Sequence, residues 1–142
     1  MTKEEVLSKL FRGMNEDEFE KRCQQFAEKI IPTLCKKSAM EKIEWHRKGK
    51  HQLVLLSASF EDYLKPWAAQ FGFTVVATKV EKQNNLLTGN FKGKNCNHEE
   101  KLIRLKNEIE LSQFDEIFAY GDTKGDEAFM SIATKKFFRN FD

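Results

Sequence analysis

Two short polar clusters in this sequence carry residue types suited to handling an anionic group. The first is Ser57-Ala58-Ser59, at the end of the apolar run Gln52 to Ser57 (QLVLLS). The second is Gly121-Asp122-Thr123-Lys124-Gly125-Asp126, directly after Phe114 to Tyr120 (FDEIFAY). A hydroxyl and free backbone amides at a strand-to-helix turn suit a phosphate. Asp122 and Asp126, four residues apart, suit a hard cation such as Mg2+, which takes oxygen ligands and keeps several waters. Between the clusters Lys101 opens a helical stretch, where a cation opposes the helix macrodipole unless an anion lies nearby. Each feature also has a plainer reading. Ser57 and Ser59 could cap the helix that follows, Asp122 and Asp126 could be turn and cap residues, and Lys101 could be solvated. The basic run Lys92 to Lys94, with Lys101, Arg104 and Lys106 nearby, is either a solvated surface or an anion-binding rim. His46, His51 and His98 are scattered, and Cys96-Asn97-His98 fits no metal-ligand spacing. Ser57 has no His and Asp in register for a hydrolase triad.

The elements that must position these residues follow from hydrophobic periodicity. Residues 3 to 12 and 16 to 31 have apolar side chains at helical spacing, with Gly13 between them and Asn15 and Glu18 placed as a capping box. Pro32 breaks the second helix, and a third, about 34 to 48, stops at Gly49. The pattern then changes to short apolar runs, 52 to 57 and 73 to 78 (FTVVAT), as in strands buried on both faces, separated by a helix over 61 to 71 that Gly72 closes. Residues 79 to 93 read as a hairpin-like excursion with Asn84-Asn85 at its turn. Asn97 with Glu100 could cap a helix running to about Leu111. Residues 114 to 120 read as a third strand, a helix is expected over 125 to 133, and Lys135 to Phe138 as a short last strand. Alternating strands and helices predict an α/β fold with a parallel sheet, and ligands of such sheets bind beyond the carboxyl ends of the strands, where both polar clusters fall.

The bulk properties set limits on partners. A chain of 142 residues is long enough to bury a core, and 24 basic against 22 acidic residues argue against a dedicated nucleic-acid surface. Cys23, Cys35 and Cys96 are odd in number, and no 18-residue apolar stretch or leader segment is present, which together read as a cytoplasmic protein with reduced thiols and no membrane span.

A serine after a buried strand, a lysine opening a later helix, then Gly-Asp-x-x-x-Asp after another strand resembles motifs two, three and four of the haloacid dehalogenase superfamily. Here they stand as LVLLSAS (53 to 59), NHEEKLIRL (97 to 105) and IFAYGDTKGDEAFM (117 to 130). The order covers residues 51 to 138, and the hairpin has a counterpart in the branch similar to phosphoserine phosphatase. The resemblance implies a Rossmann-like parallel sheet flanked by helices, residues 36 to 142, with residues 1 to 35 as part of a helical cap. It further implies a Mg2+-dependent phosphomonoester hydrolase of a small phosphorylated substrate, either a phospholipid-related or small phosphorylated alcohol or phosphoserine. By resemblance Ser57 would hydrogen-bond the phosphoryl group with the Ala58 amide, and Lys101 would neutralise its charge and hold the nucleophile. Asp122 would ligate Mg2+, and Asp126 would steady the metal's water shell or Lys101.

One departure is serious. The family's first motif, Asp-x-Asp at the end of an apolar strand, is nowhere among Asp17, Asp62, Asp115, Asp122, Asp126 and Asp142. The resemblance places that strand centrally, between those ending at Ser57 and Tyr120. The chain is therefore expected to be a truncated product, a fragment or a start at an internal Met, inactive alone. It is also expected to self-associate through an exposed gap in its sheet. Two alternatives stand beside this reading. One is a degenerate relative binding a phosphorylated ligand or partner protein. The other is a response-regulator-like doubly wound domain, which accounts for the Gly-Asp turn but not for the spaced serine and lysine.

Overall fold

The computed structural model describes residues 2–141. The helices are α1 (Lys3–Phe11), α2 (Glu16–Lys29), α3 (Ile31–Leu34), α4 (Lys37–Lys48), α5 (Glu61–Ala68), α6 (Glu99–Glu108) and α7 (Glu127–Met130). The strands are β1 (Val54–Phe60), β2 (Thr74–Thr78), β3 (Val80–Gln83), β4 (Leu86–Phe91), β5 (Phe118–Gly121) and β6 (Lys135–Phe138). No helix is long and apolar enough to cross a membrane among the described residues.

Local chemistry explains most boundaries. Asn15 caps α2, its side chain accepting from the amides of Asp17 and Glu18. Glu18 pairs with Arg22 one turn on, so the expected cap is there in its simple form. The long helix predicted over 16 to 31 ends at Lys29, and Pro32 sits in the first turn of α3, where its missing N–H costs nothing. Gly72 adopts φ +76 to end the short turn after α5, a conformation that side chains with a Cβ resist. At the start of α6 the structure corrects the expected Asn97–Glu100 box. His98 is the cap residue, with φ +48, and the Glu100 amide bonds to the Asn97 main-chain carbonyl instead.

β1 runs beyond the predicted Ser57 to Phe60. Its parallel register with β2 holds from Val54↔Thr74 to Ser57↔Ala77 and then shifts to Phe60↔Thr78, so Ala58 and Ser59 lie in an irregular stretch. β5 begins at Phe118 rather than Phe114; a 3-10 turn occupies Leu111–Gln113 and residues 114–117 lead into the strand without joining its ladder. The helix expected over 125 to 133 is a 3-10 turn, Lys124–Asp126, followed by the single turn of α7.

Burial divides into three clusters. Leu7, Phe19 and Cys23 of α1 and α2 pack on Val80 and Leu87 of the antiparallel β3–β4 hairpin. Trp67 and Ala68 of α5 pack with Ala27, Ile31, Ile43 and the β1 and β2 side chains Leu55 and Val75. Ala119 of β5 packs with Phe129 and Met130, against which Leu56 and Leu102 rest.

The parallel sheet is split. β1 pairs only with β2, and β5 only with β6, among the described residues. The free edges of β1 and β5 line one cavity of about 580 Å³, walled by α4 on one side and by α6 and α7 on the other. The space between them, where the resemblance expects a central strand, has mostly apolar walls.

Trp67 anchors the largest cluster at 8% exposure. Trp67→Ala is expected to cost about 3–5 kcal/mol, the range for emptying a buried aromatic site. Urea unfolding checks this as a lower midpoint at an unchanged slope.

Candidate active site

The site is built where β1, β5 and α6 end or begin. Lys101, in the first turn of α6, and Asp126, closing the 3-10 turn after β5, are both 6% exposed. Lys101 Nζ donates to Asp126 Oδ1 at 2.5 Å. The other carboxylate oxygen, Oδ2, accepts the amides of Asp122 at 3.0 Å and Thr123 at 3.3 Å, with the Thr123 hydroxyl at 3.4 Å. Burial alone would push the Asp126 carboxyl up; the Lys101 bond and charge, with the two amides, reverse this and hold it below its ordinary value of 3.8.

The two glycines of this turn are there for space. A Cβ on Gly121 would stand 2.8 Å from the Asp126 Cβ, and one on Gly125 would collide with the Asn97 side chain. Gly121 therefore lets the Asp126 side chain fold back beside β5, and Gly125 lets the α6 start approach. Asp122 itself is exposed, and its amide bonds the Asp126 carboxylate.

Ser57 and Ala58 form the second half. The Ser59 amide donates to Ser57 Oγ at 3.0 Å, so the hydroxyl folds a local turn. The predicted capping alternative is not what they do, since Phe60 is the cap residue of α5 and carries no side-chain cap bond. The Ala58 carbonyl accepts from Thr78 Oγ1 at 2.7 Å and from the Lys3 ammonium. The fully buried Thr78 hydroxyl also accepts the Cys96 amide at 2.9 Å, tying this turn to the loop that leads into α6. Arg104 donates to the Ala77 carbonyl, pinning α6 to the end of β2.

Two halves thus converge through groups the sequence reading missed. Lys3 is held between the Phe60 and Phe91 rings and on Asn95 Oδ1. Its pKa is lowered, first by burial and, in smaller part, by the Lys101 charge, which outweigh the opposing effect of Cys96. Thr78, at the carboxyl end of an apolar strand, occupied a position that could have been singled out. Lys3 gave no signal at all.

The scattered histidines are partly reunited. His46 is 7% exposed; its Nδ1 lies 2.8 Å from His51 Nδ1 and its Nε2 lies 2.7 Å from the Tyr120 hydroxyl. Burial, then His51 and Lys42, push the His46 pKa down. These groups join α4 to β5 and line the cavity. No group of three or more His, Cys, Asp or Glu side chains is placed to hold a metal among the described residues. Cys23 has its thiol pushed up to about 12 by burial and by Asp62, so it is inert packing.

A family model, haloacid dehalogenase-like hydrolase, matches residues 1–131. The chain belongs to the haloacid dehalogenase-like hydrolases. Its similarity extends to Protein CicA of Caulobacter vibrioides, 29% identical over 139 residues, 96% of this chain and 62% of that protein. Among solved structures, a protein of unknown function from Bordetella pertussis Tohama I superposes with TM-score 0.82 at 21% identity, covering 96% of this chain and 65% of that one. Phosphoserine phosphatase in apo form gives 0.70 at 17%, covering 95% and 65%. The phospho-aspartyl intermediate analogue of phosphoserine phosphatase gives 0.68 at 17%, covering 94% and 61%. These structures establish a shared fold. The chain spans less than two thirds of the length of each relative.

Lys101→Met strands the Asp126 charge in a buried place and is expected to cost about 3–5 kcal/mol; Lys101→Met with Asp126→Leu should recover most of it. Urea unfolding of the two variants decides. The pH dependence has two limbs. Asp126, depressed when folded, contributes stability present above about 3.8 and lost as pH falls through its lower folded value. His46, also depressed, makes stability fall as pH drops below its ordinary 6.5, because the unfolded chain then takes up the proton more readily. Unfolding midpoints from pH 2 to 8 should lose the upper limb in His46→Phe and the lower limb in Asp126→Asn.

Proposed function

We propose that the chain is the larger part of a Mg2+-dependent phosphomonoester hydrolase that works through an aspartyl-phosphate in the complete protein, and that it is inactive alone. The observation that carries this is the buried Lys101–Asp126 pair, braced by the Asp122 and Thr123 amides, with the Ser57-Ala58 turn tied through Thr78 to the loop that leads into α6. A dianionic phosphoryl group needs charge stabilisation from fixed donors, and a cation held rigid by its own carboxylate supplies it without reorganisation. Ser57 Oγ and the Ala58 amide would bind the phosphoryl oxygens, while Lys101 would neutralise their charge and position the attacking carboxylate.

The fit to Mg2+ is partial. Asp122 is exposed and available as an oxygen ligand. Both oxygens of Asp126 are engaged, which favours its role as the holder of Lys101, with any service to the metal through water. Mg2+ when bound would offset the negative charge of phosphate and carboxylate. The remaining ligands, the nucleophile and the general acid belong to an Asp-x-Asp pair that this sequence does not contain. Residues 1 to 35 would serve as part of a helical cap over an incomplete core of 36 to 142, closing on a small phosphorylated substrate. Three free cysteines fit a cytoplasmic setting. The unpaired edges of β1 and β5 also favour self-association.

The absence of an Asp-x-Asp pair equally favours a second reading, a non-catalytic relative that binds a phosphorylated ligand or partner protein through Lys101 and Ser57. Hydrolysis of p-nitrophenyl phosphate with Mg2+ separates them. The chain is compared with one joined at its amino end to an apolar strand closing in Asp-x-Asp. Turnover is expected only in the extended chain, with Lys101→Ala and Asp122→Ala each lowering it by about 100-fold or more. Turnover in neither would leave binding as the function.

A further inference from the structure

The Ala58–Ser59 peptide is gripped at both ends, and both grips bear on one hydroxyl. Its carbonyl accepts from the Lys3 ammonium and from Thr78 Oγ1 at 2.7 Å. Its N–H, that of Ser59, donates to Ser57 Oγ at 3.0 Å. A cation on a carbonyl makes the N–H of the same peptide a stronger donor, because hydrogen bonds in a chain polarise one another. Once that N–H occupies a lone pair of Ser57 Oγ, the hydroxyl hydrogen must point elsewhere. Among the described residues the Ser59 amide is the hydroxyl's partner, so its hydrogen is left for a ligand. Lys3 is itself held in place. Its Nζ lies 5.2 Å from the Phe60 ring centre, 5.8 Å from that of Phe91 and 3.1 Å from Asn95 Oδ1. The helix that carries it, α1, is pinned to β4: the Glu4 carboxylate accepts the Phe91 amide at 3.1 Å, and a Cβ on Gly89 would stand 2.8 Å from the Ser8 Cα.

We propose that Lys3 is a positioning residue that orients the Ser57 hydroxyl toward a phosphoryl oxygen through the Ala58–Ser59 peptide, without touching either. The relay runs from Nζ to the Ala58 carbonyl, across the peptide to the Ser59 N–H and on to Oγ, whose hydrogen the anion accepts. Lys101 would act on that anion by its charge. Lys3 has its ammonium engaged by a carbonyl, so its effect depends on Ser57. The helical segment thereby communicates its docking to the phosphate-binding turn. With α1 displaced from β4 the ammonium leaves Ala58, and the peptide that holds Ser57 loses its polarising charge. The inference rests on the reading of this turn as the binder of a phosphoryl group.

The test uses the whole chain and inorganic phosphate, followed by amide NMR. Before phosphate is added, the Ser59 amide proton should move upfield in Lys3→Met and stay in place in Lys3→Arg, which keeps a charged donor. Lys3→Met should then bind phosphate about tenfold more weakly, the effect of one weakened hydrogen bond to a charged group, and Lys3→Arg should restore it. In a Ser57→Ala chain the same Lys3→Met change should cost less than about twofold, because the two residues act as one unit. A Ser59 amide that ignores Lys3→Met overturns the proposal whatever phosphate does. So does a tenfold loss that persists in Ser57→Ala, which would make Lys3 a plain charge near the anion, and so does phosphate binding that Lys3→Met leaves unchanged. A parent chain that binds no phosphate overturns the reading of the turn and this proposal with it. That failure shows in the parent alone, so it is told apart from failures seen only in the variants.

Discussion

The main-chain groups on the facing edges of β1 and β5 set the constraint around which this molecule is arranged. A parallel sheet sandwiched by helices has no water to satisfy an interrupted ladder. Here the two halves, β1–β2 and β5–β6, are held in register without a ladder between them. Side chains do the joining. Lys101 of α6 grips Asp126 beyond β5, His46 of α4 grips the Tyr120 hydroxyl, and Leu56 rests on the Ala119–Phe129 cluster. The helices act as a frame around a strand-sized space.

The electrostatics of the candidate site follow from that frame. A buried ion pair is weak evidence for stability, since desolvation offsets most of the attraction. Its retention here is understandable if rigidity is what matters. Asp126 spends one oxygen on Lys101 and the other on the turn that carries Asp122, so one carboxylate fixes both the cation and the next acid. Thr78 does the equivalent on the other side, accepting from Cys96 and donating to Ala58. The two halves of the site are thus braced from beneath by groups that need never touch a ligand.

Membership of the haloacid dehalogenase-like hydrolases rests on a match over residues 1–131, and the shared fold on structures at about a fifth identity or less. Neither carries the chemistry over by itself. The relatives are longer, and the carboxylate pair that completes the family's reaction has no counterpart among the six aspartates of this sequence. What the structure shows directly is a buried Lys101–Asp126 pair held by the amides of the turn after β5.

Much of this was legible in one dimension. Short apolar runs, the Asn15 cap and Gly72 marked the elements, because hydrophobic period, capping and positive φ are local properties. Lys101 and Asp126 could be named from their place in a motif order, and the empty central strand from the missing Asp-x-Asp. What the residues' own order could not decide was contact. That Asp126 faces inward to Lys101 while Asp122 faces water depends on a 3-10 turn folded back on β5. Ser57 bonds the next turn rather than capping α5 because β1 continues through an irregular register with β2 to Phe60. His46 meets Tyr120, 74 positions away, and Lys3 meets Ala58, 55 away. Sequence determined which elements form, since each is stabilised by neighbours along the chain; tertiary structure decided which polar groups share a site, since that depends on packing between segments far apart in sequence.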